Sequence, residues 1–175
     1  MRDPFLIESV AVLRRTPAVF DALLRDLPEP WIHATEGPET WSPWVVLGHL
    51  IHGERADWIP RLEIILRSGP TEPFMPFDRM AQFHESAGKT AGQLLDEFAA
   101  ARRDSLARLE ALDLDAHHLA LQGTHPAFGL VTARQLIATW TAHDLAHLNQ
   151  VSRVMARRYQ TEVGPWAAYL SVMQR

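Results

Sequence analysis

The sequence predicts an all-α protein, a four-helix bundle with an additional short C-terminal helix, in a single domain over residues 1–175. Three observations carry this expectation. Four long segments repeat apolar residues with the period of a helix. Each opens on a start signal: Asp3-Pro4, Ser42-Pro43, Thr90 with Gln93, and Thr132 with Gln135. No stretch alternates apolar and polar residues as a half-buried strand does.

In the first segment, Phe5, Leu6, Val10, Leu13, Val19, Phe20, Leu23, Leu24 and Leu27 keep helical spacing. Pro17 lies inside it, so a kink near Thr16 or a late start is expected. Pro28 and Pro30 end the helix, and Trp31 to Thr40 reads as a connection. The second helix runs from Pro43 to about Arg67, bent near Pro60. His49 shares a face there with Val45, Val46, Gly53, Ala56 and Leu66, and His52 lies on its flank. The small Gly53 and Ala56 allow a helix or ligand to come close, whereas Glu54 and Asp57 read as solvated. Residues 68–89 form an irregular connection with a short helix around Asp78 to His84. The third helix carries Leu94, Leu95, Phe98, Leu106, Leu109 and Leu112 inward and Glu97, Arg102, Arg103 and Arg108 on its exposed side. The fourth runs unbroken from Thr132 to Tyr159. After Gly164-Pro165 a short final helix is expected, with Trp166 and Leu170 packed inward.

Composition narrows the function. Apolar residues make up 47% and charged residues 22%, ordinary values for a globular chain. The net charge of −4 and the scatter of the arginines argue against a nucleic-acid partner. No apolar run approaches the ~20 residues that span a bilayer, so no membrane partner is expected. Residues M-R-D-P-F lack a signal-peptide pattern, and with no Cys the chain suits a cytoplasmic address. It offers no thiolate ligand or cysteine nucleophile. Nine His are its surplus.

Two of these lie where histidine is costly. At about 100° per residue, Leu136, Trp140, His143, His147, Val151 and Val154 fall within roughly 80° of one another. His143 and His147 thus sit one turn apart on the stripe the fourth helix buries. Each buried imidazole needs partners for its ring nitrogens. A shared divalent cation would supply one, and separate hydrogen bonds to other helices are the structural alternative. His49, on a buried face beside small residues, is the third candidate, and three His with an open position is the catalytic rather than the structural zinc pattern. Gln150, on the flank one turn after His147, is placed to orient a water or ligand. Asp144 suits holding an imidazole tautomer or simple exposure, and His52 is the reserve ligand. His33, His84, His117, His118 and His125 fall in connections or at helix ends and read as surface or capping groups. No acid–base residue, nucleophile triad or phosphate loop stands beside the histidines.

The stretches W-S-P-W-V-V-L-G-H-L, H-P-A-F-G-L-V-T-A-R-Q-L and H-D-L-A-H-L-N-Q-V, with the tail G-P-W-A-A-Y-L, resemble the DinB/YfiT-like superfamily over nearly the whole chain. The resemblance implies a four-helix bundle holding a divalent metal on three His, one from the second helix and two from the fourth. On this chain they are His49, His143 and His147, the same three chosen by the helix faces. It implies Zn or Ni as cofactor and a homodimer acting on a small-molecule substrate. The superfamily includes mycothiol-dependent maleylpyruvate isomerase, bacillithiol S-transferases and proteins described as metal-dependent hydrolases. The expected activity is therefore activation of a low-molecular-weight thiol (S-transferase-like) or water (hydrolase-like). The alternative is a non-catalytic metal- or ligand-binding stress-response protein.

Overall fold

A computed structural model describes residues 3–174. In chain order the elements are α1 (Pro4–Leu13), α2 (Thr16–Leu24), α3 (Glu29–Ile32), α4 (Pro43–Ala56), α5 (Trp58–Ser68), α6 (Ala81–Glu85), α7 (Ala91–Ala111) and α8 (Ala116–Ala120). There follow the strands β1 (Gln122–His125) and β2 (Gly129–Thr132), then α9 (Ala133–Arg157), α10 (Gln160–Val163) and 3-10 turns over Gly164–Tyr169 and Ser171–Met173. The α1–α2 pair, the α4–α5 pair, α7 and α9 are the four arms of a helical bundle. No helix among the described residues is long and apolar enough to cross a membrane.

Proline divides two of the arms. Pro17 sits in the first turn of α2 and cannot give the Leu13 carbonyl its i→i−4 hydrogen bond, so the chain breaks at Arg14-Arg15. Pro60 likewise cannot serve the carbonyl of Ala56, and the second arm breaks at Asp57, three residues before the proline itself. The capping boxes of Thr90 with Gln93 and Thr132 with Gln135 are both formed, starting α7 and α9 at Ala91 and Ala133.

The core is two apolar clusters stacked along the bundle. One joins Leu13, Trp58, Leu62, Leu106 and Trp140; the other joins Phe20, Leu47, Ile51, Leu94, Phe98 and Val151. Between them lies a charged layer. Arg102, expected on the exposed side of α7, is only 1% exposed. Its Nη1 donates to Asp144 Oδ2 at 2.6 Å and to the Leu13 carbonyl left free by Pro17 at 2.8 Å. Its Nη2 donates to Glu54 Oε1 at 2.7 Å and Asp144 Oδ1 at 3.0 Å. Trp140 Nε1 also donates to Glu54 Oε1, at 3.0 Å. Burial by itself would lower the Arg102 pKa, but Asp144 and Glu54 outweigh it and hold the pKa above its ordinary value. The expectation of a solvated Glu54 fails for the same reason: its carboxylate lies in this layer, 3% exposed. Asp57 is buried too, its Oδ1 lying 2.6 Å from Arg61 Nη1.

Two further expectations are corrected. A two-stranded antiparallel hairpin does occur, pairing Gln122 with Thr132 and His125 with Gly129. Four-residue strands are too short to display alternation, and the positive φ of Gly129 serves the turn. Near the C-terminus, Trp166 and Leu170 face outward, 69% and 41% exposed. The 3-10 turn sets Trp166 and Tyr169 three apart on one outer face, and Met173 is the residue that reaches the core.

The hairpin is seated on the bundle by Gly123. A Cβ there would lie 2.7 Å from Ile65 Cγ1 and 2.8 Å from the Phe74 ring. Gly123→Ala is therefore expected to cost about 1–3 kcal/mol through overpacking. Denaturant unfolding checks this, and an unchanged midpoint would show that Ile65 and Phe74 can give way.

Candidate metal centre

His49 and the pair His143 and His147, from facing arms, converge. His49 Nε2 lies 3.0 Å from His143 Nε2, and His147 Nε2 lies 3.1 Å from the same atom. One ring nitrogen from each His lies within 4.8 Å of those of the other two. α4 and α9 set this up by their periodicity. His49 faces inward with Gly53 one turn on, and His143 and His147 occupy successive turns of α9.

Outer hydrogen bonds aim two of the rings. His49 Nδ1 donates to Gln82 Oε1 at 3.0 Å, and His147 Nδ1 donates to Gln150 Oε1 at 2.8 Å. With their protons on Nδ1, both rings present an Nε2 lone pair to the common centre. His143 Nδ1 is buried without a partner among the described residues. A proton on His143 Nε2 can serve only one neighbour at a time, leaving the other lone pair facing it unmet. A cation at the centre satisfies all three at once, so the donor set fits a divalent metal.

Burial makes the rings poor bases. Desolvation, aided by the neighbouring His147, lowers the His49 pKa to about 4. Desolvation, then His147 and His49, lowers that of His143 to about 3. The His147 pKa is also lowered, chiefly by desolvation. Neutral imidazole is the form that binds metal. These shifts fix a sign. Below the unfolded-state value near 6.5, the unfolded chain takes up protons that the native rings refuse. Metal-stripped protein should thus lose stability as pH falls from about 6.5 towards 4, as the denaturation midpoint at about pH 7 and about pH 5 would report. An equal loss in His143→Phe protein would place the acid sensitivity elsewhere.

Aromatic rings fence the centre. Trp41 lies 4.9 Å from His49 and stacks on His147 at 6.2 Å. Phe77 meets His49 edge-on at 5.4 Å, and Trp58 meets His143 at 5.1 Å. The three histidines line a cleft of about 710 Å³ that also includes Asp57, Arg61, Phe74, Arg79, His125 and Phe128.

The remaining sequence candidates have other partners. Gln150 orients His147. Asp144 is fully buried and pairs with Arg102 rather than with an imidazole. His52 turns its Nδ1 to Glu85 Oε1 at 3.1 Å, outside the trio. His125, expected as a surface or capping group, is in the cleft. Gln82 gave no sequence signal: it lies in the short α6 after an irregular connection, yet is 1% exposed against His49.

The sequence profile of the DinB superfamily matches residues 13–151. No curated protein sequence matches the chain. Among solved structures, the fold is similar to that of YfiT from Bacillus subtilis, described as a probable metal-dependent hydrolase with an unusual four-helix bundle topology. The TM-score is 0.74 at 17% identity, covering 86% of each chain.

Proposed function

This chain belongs to the DinB superfamily, and from that premise we propose that it is a metal-dependent enzyme in which His49, His143 and His147 hold a divalent ion, Zn or Ni. The observation that carries the reading is the convergence of three neutral imidazoles, two of them aimed from behind by Gln82 and Gln150, on one side of a cleft. When bound, the ion supplies Lewis acidity, lowering the pKa of a water or thiol.

The chain's own residues divide the remaining work. Gln82 and Gln150 fix the tautomers, and Trp41, Trp58 and Phe77 shield the rings from bulk water. The cleft volume falls within the roughly 300–1,000 Å³ of small-molecule sites. An open cleft supports an enzyme over a closed metal store. With no Cys in the chain, a thiol nucleophile comes from a small molecule, and water is the other nucleophile the site admits.

The test is elemental analysis of untagged protein, followed by turnover of activated esters and of epoxide or halogenated-aromatic electrophiles with and without added low-molecular-weight thiols. Near-stoichiometric metal and metal-dependent turnover are expected. Thiol dependence identifies a transferase, and turnover in buffer alone a hydrolase. Full metal loading with no turnover across the panel would favour the non-catalytic binding protein.

A further inference from the structure

The cleft holds a second polar group besides the three histidines. Arg61 is 7% exposed and tightly held: Nη1 lies 2.6 Å from Asp57 Oδ1, Nη2 donates to the Met75 carbonyl at 3.3 Å, and the guanidinium sits 5.4 Å over the Phe74 ring. Its Nε–H is buried with no acceptor among the described residues. His125 is fixed as well. Its Nδ1 accepts the backbone N–H groups of Ala127 at 3.1 Å and Phe128 at 3.2 Å, so its proton is on Nε2. Its ring stacks on Phe128 at 4.5 Å and meets the edge of Phe74 at 6.2 Å. No group among the described residues accepts from His125 Nε2. Burial, then the charge of Arg61, lowers the His125 pKa and keeps the ring neutral.

Arg61 and His125 both line the cleft, and each carries a held donor without an acceptor among the described residues, that of Arg61 being buried. Its charged lining residues are Arg61, Arg79 and Asp57, two cations and one carboxylate, a positive balance in a chain of net charge −4. An unmet buried donor is costly, and an oxyanion is the partner that satisfies an arginine best. The carboxylate of Asp57 beside Arg61 disfavours a doubly charged phosphate and leaves room for a singly charged group.

Resting on the metal-dependent reading above, we propose that the substrate is a small carboxylate with an apolar body. Its carboxylate accepts from Arg61 Nε–H and His125 Nε2–H, its body lies against Phe74, Phe77 and Phe128, and its reacting part is left towards the three histidines.

The probes are 3-phenylpropionate and its neutral amide, titrated against the full-length protein by calorimetry and by the fluorescence of Trp41 and Trp58. Wild type, with its metal content measured, is compared with His143→Ala, His125→Phe and Asp57→Asn/Arg61→Met. The last removes both partners of the pair, leaving no lone buried carboxylate. The carboxylate should bind at least about tenfold more tightly than the amide in wild type and in His143→Ala. In His125→Phe and the double variant the ratio should fall towards one. A preference lost in His143→Ala would mean that the carboxylate was sitting on the metal, and a preference kept in both cleft variants would mean that neither donor recognises it. Either overturns the proposal. Metal-free wild type that still prefers the carboxylate would uphold it while removing the metal reading. If the double variant does not fold, His125→Phe decides.

Discussion

His143→Ala is expected to weaken Zn2+ or Ni2+ binding by more than the roughly 10–100-fold that losing a group which only orients a ligand costs. His143 is the middle member of the trio, with Nε2 within about 3 Å of both other Nε2 atoms. Its loss leaves two imidazoles and no third corner. Gln82→Ala and Gln150→Ala keep all three nitrogens and lose only their aim, so they set the 10–100-fold scale within the same protein. His117→Ala, on the exposed surface, is the control and should leave affinity unchanged. Competition against a chelating dye at constant pH gives the ranking. Equal affinity in His143→Ala and His117→Ala would dissolve the trio as a metal site. Because His143 Nδ1 is buried without a partner among the described residues, little loss of stability should accompany the metal-free variant.

Arg102→Met should produce the largest loss of stability. It strips the cation from two buried carboxylates, Glu54 and Asp144, and leaves the Leu13 carbonyl without a donor. Breaking one side of a buried ion pair typically costs about 3–5 kcal/mol, which at this chain length lowers the melting temperature by on the order of 10 °C. The cost comes from the orphaned charges and not from lost attraction alone. Replacing the whole set, Glu54→Leu/Arg102→Met/Asp144→Leu, should therefore recover much of the loss, short of what the Leu13 carbonyl and Trp140 indole still miss. A triple variant less stable than Arg102→Met alone would show that the ion network itself contributes net stability.

The arms of the bundle were legible because each carries its own signals: apolar periodicity, capping boxes and prolines that mark the breaks. The histidine trio was legible for a similar reason. A spacing of four on α9 places His143 and His147 on one face, and a buried polar face demands a partner. Arg102 was not legible. Beside Glu97, Arg103 and Arg108 it completes an ordinary polar helix face, and its partners lie on other arms, 42 and 48 positions away. The hairpin escaped because its strands are four residues long, and with it went His125. Asp57 read as a solvated charge since local sequence does not reveal that the break before Pro60 buries it.

Pro17 has a consequence beyond its own helix. By withholding one N–H it frees a carbonyl for a guanidinium 89 positions away, so a local defect in one arm fixes where another must stop. All four arms meet Arg102 at the same height: the Leu13 carbonyl, Glu54 of α4 and Asp144 of α9 around a side chain of α7. Sliding any arm by one turn, about 5.4 Å, would carry an acceptor into an apolar cluster and strand a charge. The two apolar clusters, being greasy throughout, would tolerate such a slip. The ionic layer would not, and it thereby indexes the arms so that His49 stands level with His143 and His147.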